Sequence, residues 1–157
     1  MKPTPEIYVL VHHIRSLYNV GSLFRTCDGV GIKKLYLTGI TGQPPRKEIT
    51  KTALGADESV PWEYHWEPSF FLKQLKEQQI PIIAVERHDT SQPFFEVQYP
   101  SPLCLIFGNE VTGVEPELLS FADQVVHVPM YGIKESLNVA VCAGVVLYGV
   151  RWLLELG

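Results

Sequence analysis

Short apolar runs alternate along this chain with longer segments in which apolar residues recur at helical spacing. The apolar runs lie at residues 7–11, 35–38, 80–85, 103–107 and 125–128. The helix-like segments lie at residues 20–30, 47–54, 69–78, 115–122 and 137–156. This alternation predicts an α/β fold, with a mostly parallel sheet flanked by helices. Residues 59–65 are a sixth candidate strand, which Pro61 would place at an edge or at a strand start.

Segment 137–156 is apolar on every side, so its side chains cannot all share one buried stripe of a helix. Such a helix has to be covered on more than one side. Burial within one chain and contact with a second copy are both open explanations. The longest apolar stretch, residues 137–150, is shorter than the ~20 residues of a membrane span, so we expect a soluble protein without a membrane partner.

Length and composition indicate one globular domain. The chain has 157 residues, 46% of them hydrophobic, and neither an internal repeat nor a linker rich in Pro, Gly and Ser divides it. We therefore expect a single domain over residues 1–157, with no separate substrate-binding domain. The three cysteines are too widely spaced for a disulfide framework, and the N-terminus has no apolar signal segment. Both features predict a cytoplasmic protein with reduced thiols.

The net charge is −4, but positive and negative residues are unevenly distributed. Residues 1–51 contain eight Lys/Arg and three Asp/Glu, a balance of +5, whereas residues 52–157 have a balance of −9. An acidic protein can still bind a polyanion through one positive face, because attraction acts over about one Debye length, ~8 Å. Chance clustering on a solvated surface is the alternative. The candidates for phosphate contact are Arg15, Lys33, Lys34, Arg46, Lys47 and Lys51.

Familiar catalytic and metal-binding motifs are absent from the sequence. It has no Walker A loop, no dinucleotide-binding fingerprint and no nucleophile elbow. Among the five histidines, His12 and His13 are adjacent, and on a strand their side chains would point to opposite faces. The sequence therefore predicts no metal site.

Two predicted strands end in glycine-bearing loops, at residues 108–113 and 129–132. Ligands of open α/β sheets bind beside the carboxyl ends of the strands, where glycine allows close backbone approach. Ser136 is favoured as the N-cap of the last helix. Asn138 then lies inside an otherwise apolar helix, where its side-chain amide needs hydrogen-bond partners. Asn19 suits the N-cap of the helix after the first strand. Arg25 either extends into solvent or faces a substrate phosphate.

Three segments together resemble a known family. They are Asn19-x-Gly21-x-x-x-Arg25, Gly108-x-Glu110-x-x-Gly113 and Val128-Pro129-Met130-x-Gly132-x-x-x-Ser136-Leu137-Asn138-Val139. In content and order they are similar to the three motifs of the SpoU (TrmH) branch of the SPOUT methyltransferases. The third motif is the most specific of the three. The match spans residues 19–139, which is nearly the whole chain.

The resemblance implies a SPOUT fold whose C-terminal part forms a deep trefoil knot, an exception to the general absence of knots. It also implies a homodimer that uses S-adenosylmethionine to methylate a ribose 2′-hydroxyl of tRNA or rRNA. By motif position, the residues around the cofactor would be Phe107, Gly108, Asn109, Val128, Met130, Ser136 and Leu137. The reactive surroundings would be Arg25, Asn19, Glu110, Ser136 and Asn138. Arg25 is expected to reach the cofactor of the other subunit.

Two other functions compete with the enzyme. One is a non-catalytic RNA-binding or ribosome-assembly factor that retains the fold, and the other is a flavodoxin-like nucleotide-binding module. The intact motif residues favour the enzyme over the non-catalytic factor. The third motif disfavours the flavodoxin-like module. Larger family members carry additional substrate-binding segments, which this chain is expected to lack. Its length is similar to that of the tRNA wobble-position ribose methylases, whereas its third motif is closer to the tRNA guanosine-18 and rRNA members, so the target nucleotide stays open.

Overall fold

The computed structural model describes residues 2–157. Within this range, seven strands form one sheet in the order β3-β2-β1-β6-β4-β7-β5, and every neighbouring pair is parallel. The strands are β1 (Ile7–His12), β2 (Lys34–Thr38), β3 (Trp62–His65), β4 (Ile82–Val85), β5 (Gln92–Pro93), β6 (Leu103–Phe107) and β7 (Gln124–His127). The α-helices are α1 (Leu17–Val30), α2 (Lys47–Ala53), α3 (Ala56–Ser59), α4 (Pro68–Glu77), α5 (Pro116–Leu119) and α6 (Val139–Leu156).

The predicted α/β fold with a parallel sheet is confirmed, and the five predicted strands are present with ends shifted by at most two residues. Strand β3 begins directly after Pro61 and lies at an edge of the sheet, as expected. The hydrophobic pattern did not indicate β5, because this strand has two residues and one of them is proline. Helix α5 is shorter than the predicted segment 115–122. The trefoil knot stays a prediction.

Both faces of the sheet are buried, as is usual for parallel strands covered by helices. Along β1, Ile7, Val9 and Val11 belong to one apolar cluster and Leu10 to the other, which is the alternation of a strand. The first cluster includes residues of α1, α2 and α6, and the second includes residues of α4 and α5. Because parallel strands end at a common edge, the loops that carry the second and third motifs meet there.

Helix α6 has one buried and one exposed apolar face. The buried face packs against α1 and consists of Val139, Ala143, Val146, Leu147 and Val150. The exposed face, which we name the α6 stripe, consists of Val141, Val145, Tyr148, Trp152 and Leu156. Burial within the chain therefore explains the apolar residues of the buried face. A single copy of the chain leaves the α6 stripe uncovered.

By length and composition, α6 is also long and apolar enough to cross a membrane, with a mean hydropathy of 1.7 over 18 residues. The helix continues to Leu156 instead of ending with the apolar stretch near residue 150. Shortness is therefore not a valid reason to exclude a membrane span. One face of the helix is nevertheless part of the protein core, and core helices also meet this criterion.

The first helix begins three residues earlier than expected. Its N-cap is Ser16, whose hydroxyl accepts a hydrogen bond from the Asn19 N–H at 3.1 Å. The expectation that Asn19 is the cap is therefore wrong. Asn19 lies in the first turn of α1, and its side-chain amide is available for contacts with other parts of the fold.

The last helix is capped by Asn138 and not by Ser136, the residue favoured from the sequence. Oδ1 of Asn138 accepts hydrogen bonds from the N–H groups of Ala140 at 2.9 Å and Val141 at 3.2 Å. These are backbone donors that the helix itself cannot satisfy. The capping position explains why an amide is found at the start of an otherwise apolar helix.

Candidate functional site

Three neighbouring strands, β6, β4 and β7, end at one cleft on the carboxyl edge of the sheet. The second motif follows β6 and the third follows β7, and β4 lies between these strands. Every residue that the sequence analysis assigned to the cofactor lines this cleft, namely Phe107, Gly108, Asn109, Val128, Met130, Ser136 and Leu137. The cleft thus brings together residues of two motifs from different strands.

The loop of residues 108–113 forms one wall of the cleft and depends on glycine. Asn109 and Gly113 exchange backbone hydrogen bonds of 3.1 and 2.9 Å, and Gly113 has a φ of 73°. A Cβ atom on Gly108 would collide with the backbone of Gly113 and Val114. The close packing of this loop therefore requires glycine at position 108.

Side chains from all three motifs form a hydrogen-bonded chain beside the cleft. Nδ2 of Asn19 donates to Oε2 of Glu110 at 3.3 Å, and Oδ1 of Asn19 accepts from Nδ2 of Asn138 at 3.3 Å. Glu110 also lines the cleft. The fold therefore unites Asn19, Glu110 and Asn138, three of the five residues expected in the reactive surroundings, although they come from distant parts of the sequence. Ser136, a fourth, lines the same cleft.

The Glu110 carboxylate is held by the backbone that leads into α1. Oε1 accepts from the Arg15 N–H at 3.0 Å, and Oε2 accepts from the Ser16 N–H at 2.9 Å. Burial alone would raise the pKa of Glu110, but hydrogen bonds from Arg15, Ser16, its own backbone and Asn19 outweigh burial and lower it. Glu110 is therefore ionised and poorly suited to accept a proton, and its contacts position the start of α1.

Replacing Glu110 with glutamine should reduce the free energy of unfolding by about 1–3 kcal/mol, because a backbone N–H of Arg15 or Ser16 loses its acceptor. The folded-state pKa of Glu110 is lowered, so its stabilisation is fully present above the unfolded value of about 4.3 and is lost as the pH falls through the folded value. Urea denaturation should therefore show the difference between wild type and variant shrinking in acid. Glu135→Gln, a change in the same cleft, is the control. Equal stability of the wild type and Glu110→Gln at pH 7 would contradict this role.

The cleft also contains residues that the sequence analysis missed because they lie outside the three motifs: Val85, Glu86, Arg87, His127 and Cys142. The carboxylate of Glu86 accepts from the N–H groups of Val114 at 2.6 Å and Arg87 at 2.9 Å, which ties the end of β4 to the loop after β6. The strand at residues 80–85 was predicted, and the position of Glu86 and Arg87 directly after it was the one feature of the sequence that could have indicated them. The pattern could not indicate that β4 lies between β6 and β7.

Neighbouring groups act on two of these additional residues. Oγ of Ser91 donates to the His88 carbonyl oxygen at 2.7 Å, so it accepts from Nδ1–H of His127 at 2.8 Å. In the neutral ring, Nε2 of His127 is then an acceptor beside the cleft. Burial, reinforced by the Glu86 carboxylate, raises the pKa of Cys142 to about 11, so this thiol is protonated at neutral pH.

Arg25, the remaining residue of the expected reactive surroundings, does not line the cleft of its own chain. Its exposed side chain lies on α1 and borders a different recess, together with Lys51, Thr52 and Tyr148. Tyr148 belongs to the α6 stripe. Arg25 is thus next to the uncovered apolar face of α6.

The six basic candidates for phosphate contact do not form one face. Lys33 and Lys34 lie at the amino end of β2, opposite the edge that holds the cleft, and are paired with Glu6 and Glu63, respectively. Arg15, Arg46 and Lys47 follow the carboxyl ends of β1 and β2. Lys51 borders the same recess as Arg25. The structure therefore separates Lys33 and Lys34 from the other four candidates.

The expectation that His12 and His13 point to opposite faces is wrong. Strand β1 ends at His12, and His13 has a left-handed φ of 57°, which turns its ring beside that of His12 with 3.7 Å between ring centroids. With Glu115 they form a cluster whose potential ligand atoms lie within 4.8 Å of one another. Nδ1 of His13 accepts from the Ile40 N–H at 3.0 Å, so Nε2 of the neutral ring carries the hydrogen and has no lone pair for a metal.

The sequence pattern of the SpoU rRNA Methylase family matches residues 6–148, a range that contains the cleft and all three motifs. The chain belongs to the SpoU rRNA methylase family. SpoU members differ in length, and this chain covers between 59% and 78% of three of its relatives.

These three SpoU relatives illustrate the similarity. A tRNA (guanosine(18)-2′-O)-methyltransferase of Thermus thermophilus is 32% identical over 144 residues, 92% of this chain and 73% of that protein. The crystal structure of the A. aeolicus TrmH/SpoU tRNA modifying enzyme has a TM-score of 0.88 and 32% identity, covering 98% of this chain and 78% of that one. An AdoMet-bound rRNA methyltransferase from Sinorhizobium meliloti has a TM-score of 0.85 and 26% identity, covering 98% of this chain and 59% of that one.

Proposed function

We propose that this chain is an S-adenosylmethionine-dependent methyltransferase that modifies a ribose 2′-hydroxyl of tRNA or rRNA. The observation that carries the proposal is the hydrogen-bonded chain of Glu110, Asn19 and Asn138, which unites the three SpoU motifs beside the cleft. The relatives support it, since one is a tRNA 2′-O-methyltransferase and another is an AdoMet-bound rRNA methyltransferase. Both classes of RNA are therefore candidates.

The cleft suits S-adenosylmethionine in its surface and charge. Phe107, Val128 and Leu137 supply apolar surface that fits an adenosine group, and Glu86 and Glu135 add negative charge. Negative charge favours a ligand with a positive sulfonium and a positive ammonium group. When bound, S-adenosylmethionine supplies an electrophilic methyl group.

The residues around the cleft must help the weakly acidic 2′-hydroxyl to lose its proton as its oxygen bonds to the methyl carbon. Removing the proton from a guanidinium at pH 7 costs about 8 kcal/mol, which disfavours Arg25 as the base. Arg25 acts instead as a cation that grips the adjacent phosphate and stabilises the developing 2′-oxyanion. A phosphate oxygen or water takes the proton. Glu110 and Asn19 are positioning residues for α1, and Ser136 is available to contact the ribose.

Mapping 2′-O-methyl groups in total RNA, from cells with and without this protein, tests the proposed function. A methylated nucleotide should disappear in its absence and be restored by the purified protein with S-adenosylmethionine. Calorimetry should detect cofactor binding that persists with a chelator. RNA binding without any change in methylation would favour the non-catalytic RNA-binding factor.

A homodimer through the α6 stripe would complete the site. Leu137 lines the cleft and is partly exposed near the start of the stripe, whereas Tyr148 joins the stripe to the recess of Arg25. A two-fold interface brings the same patch of both copies together, so Arg25 of one copy can approach the cleft of the other. Covering the exposed apolar side chains adds the driving force for association.

A cytoplasmic location and independence from membranes follow from the proposed substrate. The relative from T. thermophilus is a tRNA-modifying enzyme, and tRNA and rRNA are found where translation takes place. We therefore retain the cytoplasm as the proposed location. Fractionation of cells should recover the protein in the soluble fraction without detergent.

RNA should contact the four basic candidates that lie apart from Lys33 and Lys34, namely Arg15, Arg46, Lys47 and Lys51. Replacing one of them with alanine should reduce the slope of log affinity against log salt concentration by about one unit for each phosphate that the variant no longer neutralises. Lys33→Ala and Lys34→Ala are matched controls, because these lysines lie at the opposite end of the sheet in ion pairs. Equal slopes for both groups of variants, measured by filter binding, would refute this assignment.

A further inference from the structure

A second recess lies on the carboxyl edge of the sheet and shares the loop after β6 with the cofactor cleft. His12 ends β1, Trp66 follows β3, and Glu115 precedes α5, and all three line the recess. Nδ2 of Asn109, a residue of the cleft, donates to the His13 carbonyl oxygen at 2.7 Å. The two concave sites are therefore neighbours on one edge of the protein.

Two histidine rings converge on one carboxylate in this recess. Nε2 of His12 is 3.6 Å from Oε2 of Glu115, and Nε2 of His13 is 3.5 Å from Oε1. The side chain of His12 is almost completely buried, whereas Glu115 is open to solvent on one side. The carboxylate is therefore accessible to a ligand, and Nε2 of the largely buried His12 ring lies beside it.

Hydrogen-bond partners determine which nitrogen of each ring carries hydrogen. Thr38 Oγ1 donates to the Val11 carbonyl oxygen at 2.9 Å, so it accepts from Nδ1–H of His12 at 2.9 Å. Burial and the neighbouring His13 lower the pKa of His12, which keeps its Nε2 free as a lone-pair acceptor at neutral pH. His13 has the opposite arrangement, since its Nδ1 accepts from Ile40 and its Nε2–H points at Glu115.

The recess consequently presents two acceptors and lacks a donor between them. Nε2 of His12 and Oε2 of Glu115 face each other, and within residues 2–157 no N–H or O–H group bonds to that histidine nitrogen. An acceptor that no donor of the protein reaches can bond to a ligand instead, so a ligand that brings adjacent N–H groups would be stabilised here. A metal ion held by His12, His13 and Glu115 together would need a lone pair from both rings, which the hydrogen bond from Ile40 to His13 prevents.

The remaining walls favour a flat group without negative charge. The Trp66 side chain is 58% exposed and lies 6.3 Å from the His13 ring, between ring centroids, so its face is available for stacking. Glu67 and Glu117 add negative charge at the rim, which repels phosphate. Guanine is the common nucleobase that presents two adjacent donors, N1–H and N2–H, on one edge, and a carboxylate can accept both.

We propose that this recess binds an unstacked guanine base of the RNA substrate, with Glu115 and His12 accepting from its N1–H and N2–H edge and Trp66 stacking on its face. The proposal rests on the proposed function in taking RNA as the partner. It adds a base-reading site beside the site of methyl transfer. The basic residue Arg15, whose N–H donates to Glu110 of the neighbouring cleft, is available for the RNA backbone.

Binding of free nucleosides to the full chain tests this site without depending on catalysis. We would titrate the protein with guanosine, inosine and adenosine and follow the histidine ring protons by NMR. Inosine lacks the 2-amino group, so guanosine should bind at least about fivefold more tightly than inosine or adenosine. Glu115→Gln replaces one acceptor with a donor and should abolish this preference, and Trp66→Leu should weaken all three nucleosides. Glu77→Gln, an exposed change on α4, is the matched control, and thermal unfolding checks that each variant is folded.

Each result decides between guanine and another occupant. Equal binding of guanosine and inosine, or an unchanged preference in folded Glu115→Gln, would overturn the proposal. So would methylguanidinium binding as tightly as guanosine, which would indicate an arginine of a protein partner, or Zn²⁺ alone displacing guanosine. Methyl transfer is measured in the same preparation. Guanosine selectivity without methyl transfer would support guanine binding in the recess and count against the proposed function. Methyl transfer without guanosine selectivity would support the proposed function and count against guanine binding in the recess.

Discussion

Replacing Arg25 with alanine should lower the turnover number of methyl transfer by about 100-fold or more, while the affinity for S-adenosylmethionine stays nearly unchanged. The reason is geometric as well as chemical. Arg25 is a solvent-exposed cation that does not line the cofactor cleft of its own chain, so its removal leaves the cofactor contacts in place. Single-turnover kinetics at saturating RNA, together with calorimetry of cofactor binding, measure the two quantities separately.

The lysine variant distinguishes two roles for Arg25. A lysine is more easily deprotonated than an arginine, so partial activity that rises with pH would support a base. A guanidinium clamp forms two parallel hydrogen bonds with a phosphate, which lysine cannot reproduce, so we expect poor and pH-independent activity of Arg25→Lys. Lys33→Ala, which removes a cation at the other end of the sheet, is the control. Near-normal methylation by Arg25→Ala at saturating RNA would exclude both roles.

Mixing two inactive variants tests whether Arg25 acts across the dimer. Ser136→Trp should block cofactor binding without unfolding the chain, because Ser136 is exposed and lines the cleft. In a hybrid dimer with Arg25→Ala, one site would combine an intact cleft with an intact Arg25 from the other copy. Activity should therefore reappear on mixing. If Arg25 acted within its own chain, both sites of the hybrid would stay inactive.

Replacing Trp152 with aspartate should dissociate the proposed dimer and abolish methyl transfer, since each site would lose the other copy's Arg25. Trp152 is 66% exposed in a single chain, so an aspartate there does not disturb the core. Burial of one large apolar side chain contributes about 1.5–3 kcal/mol, and a buried unpaired charge adds a further cost. Light scattering and sedimentation at micromolar concentration should detect a change from two copies to one.

The choice of position matters for this test. Leu147 and Val150 are fully buried, so aspartate at either residue would unfold the chain and give no information about association. Phe70→Asp is a matched control, because Phe70 is also 66% exposed but lies on α4, away from the α6 stripe. A wild-type protein of 17.7 kDa in solution, or a Trp152→Asp variant that remains dimeric, would refute the proposed interface.

The residues predicted for the cofactor line one cleft, because they lie where predicted strands end. That they bind the cofactor stays a prediction. Phe107 and Gly108 close β6, and Val128 follows β7, so local pattern and motif order were sufficient to find them. Glu86 and Arg87 also follow a predicted strand, but their membership of the cleft depends on β4 lying between β6 and β7. Strand order results from packing between segments that are distant in sequence, and no local pattern contains it.

The sequence by itself determined the α/β class and the parallel sheet, because alternating apolar periods are local properties of the chain. The resemblance of its three motifs to those of the family supplied the predicted residues of the cleft. The tertiary structure decided how distant residues combine. It made Asn138 a helix cap that also bonds to Asn19, and it turned His13 beside His12 at a left-handed residue. It also divided the apolar surface of α6 into a core face and an open stripe. Burial and hydrogen bonding depend on neighbours in space, and for Asn19 and Asn138 those neighbours are 119 residues apart in sequence.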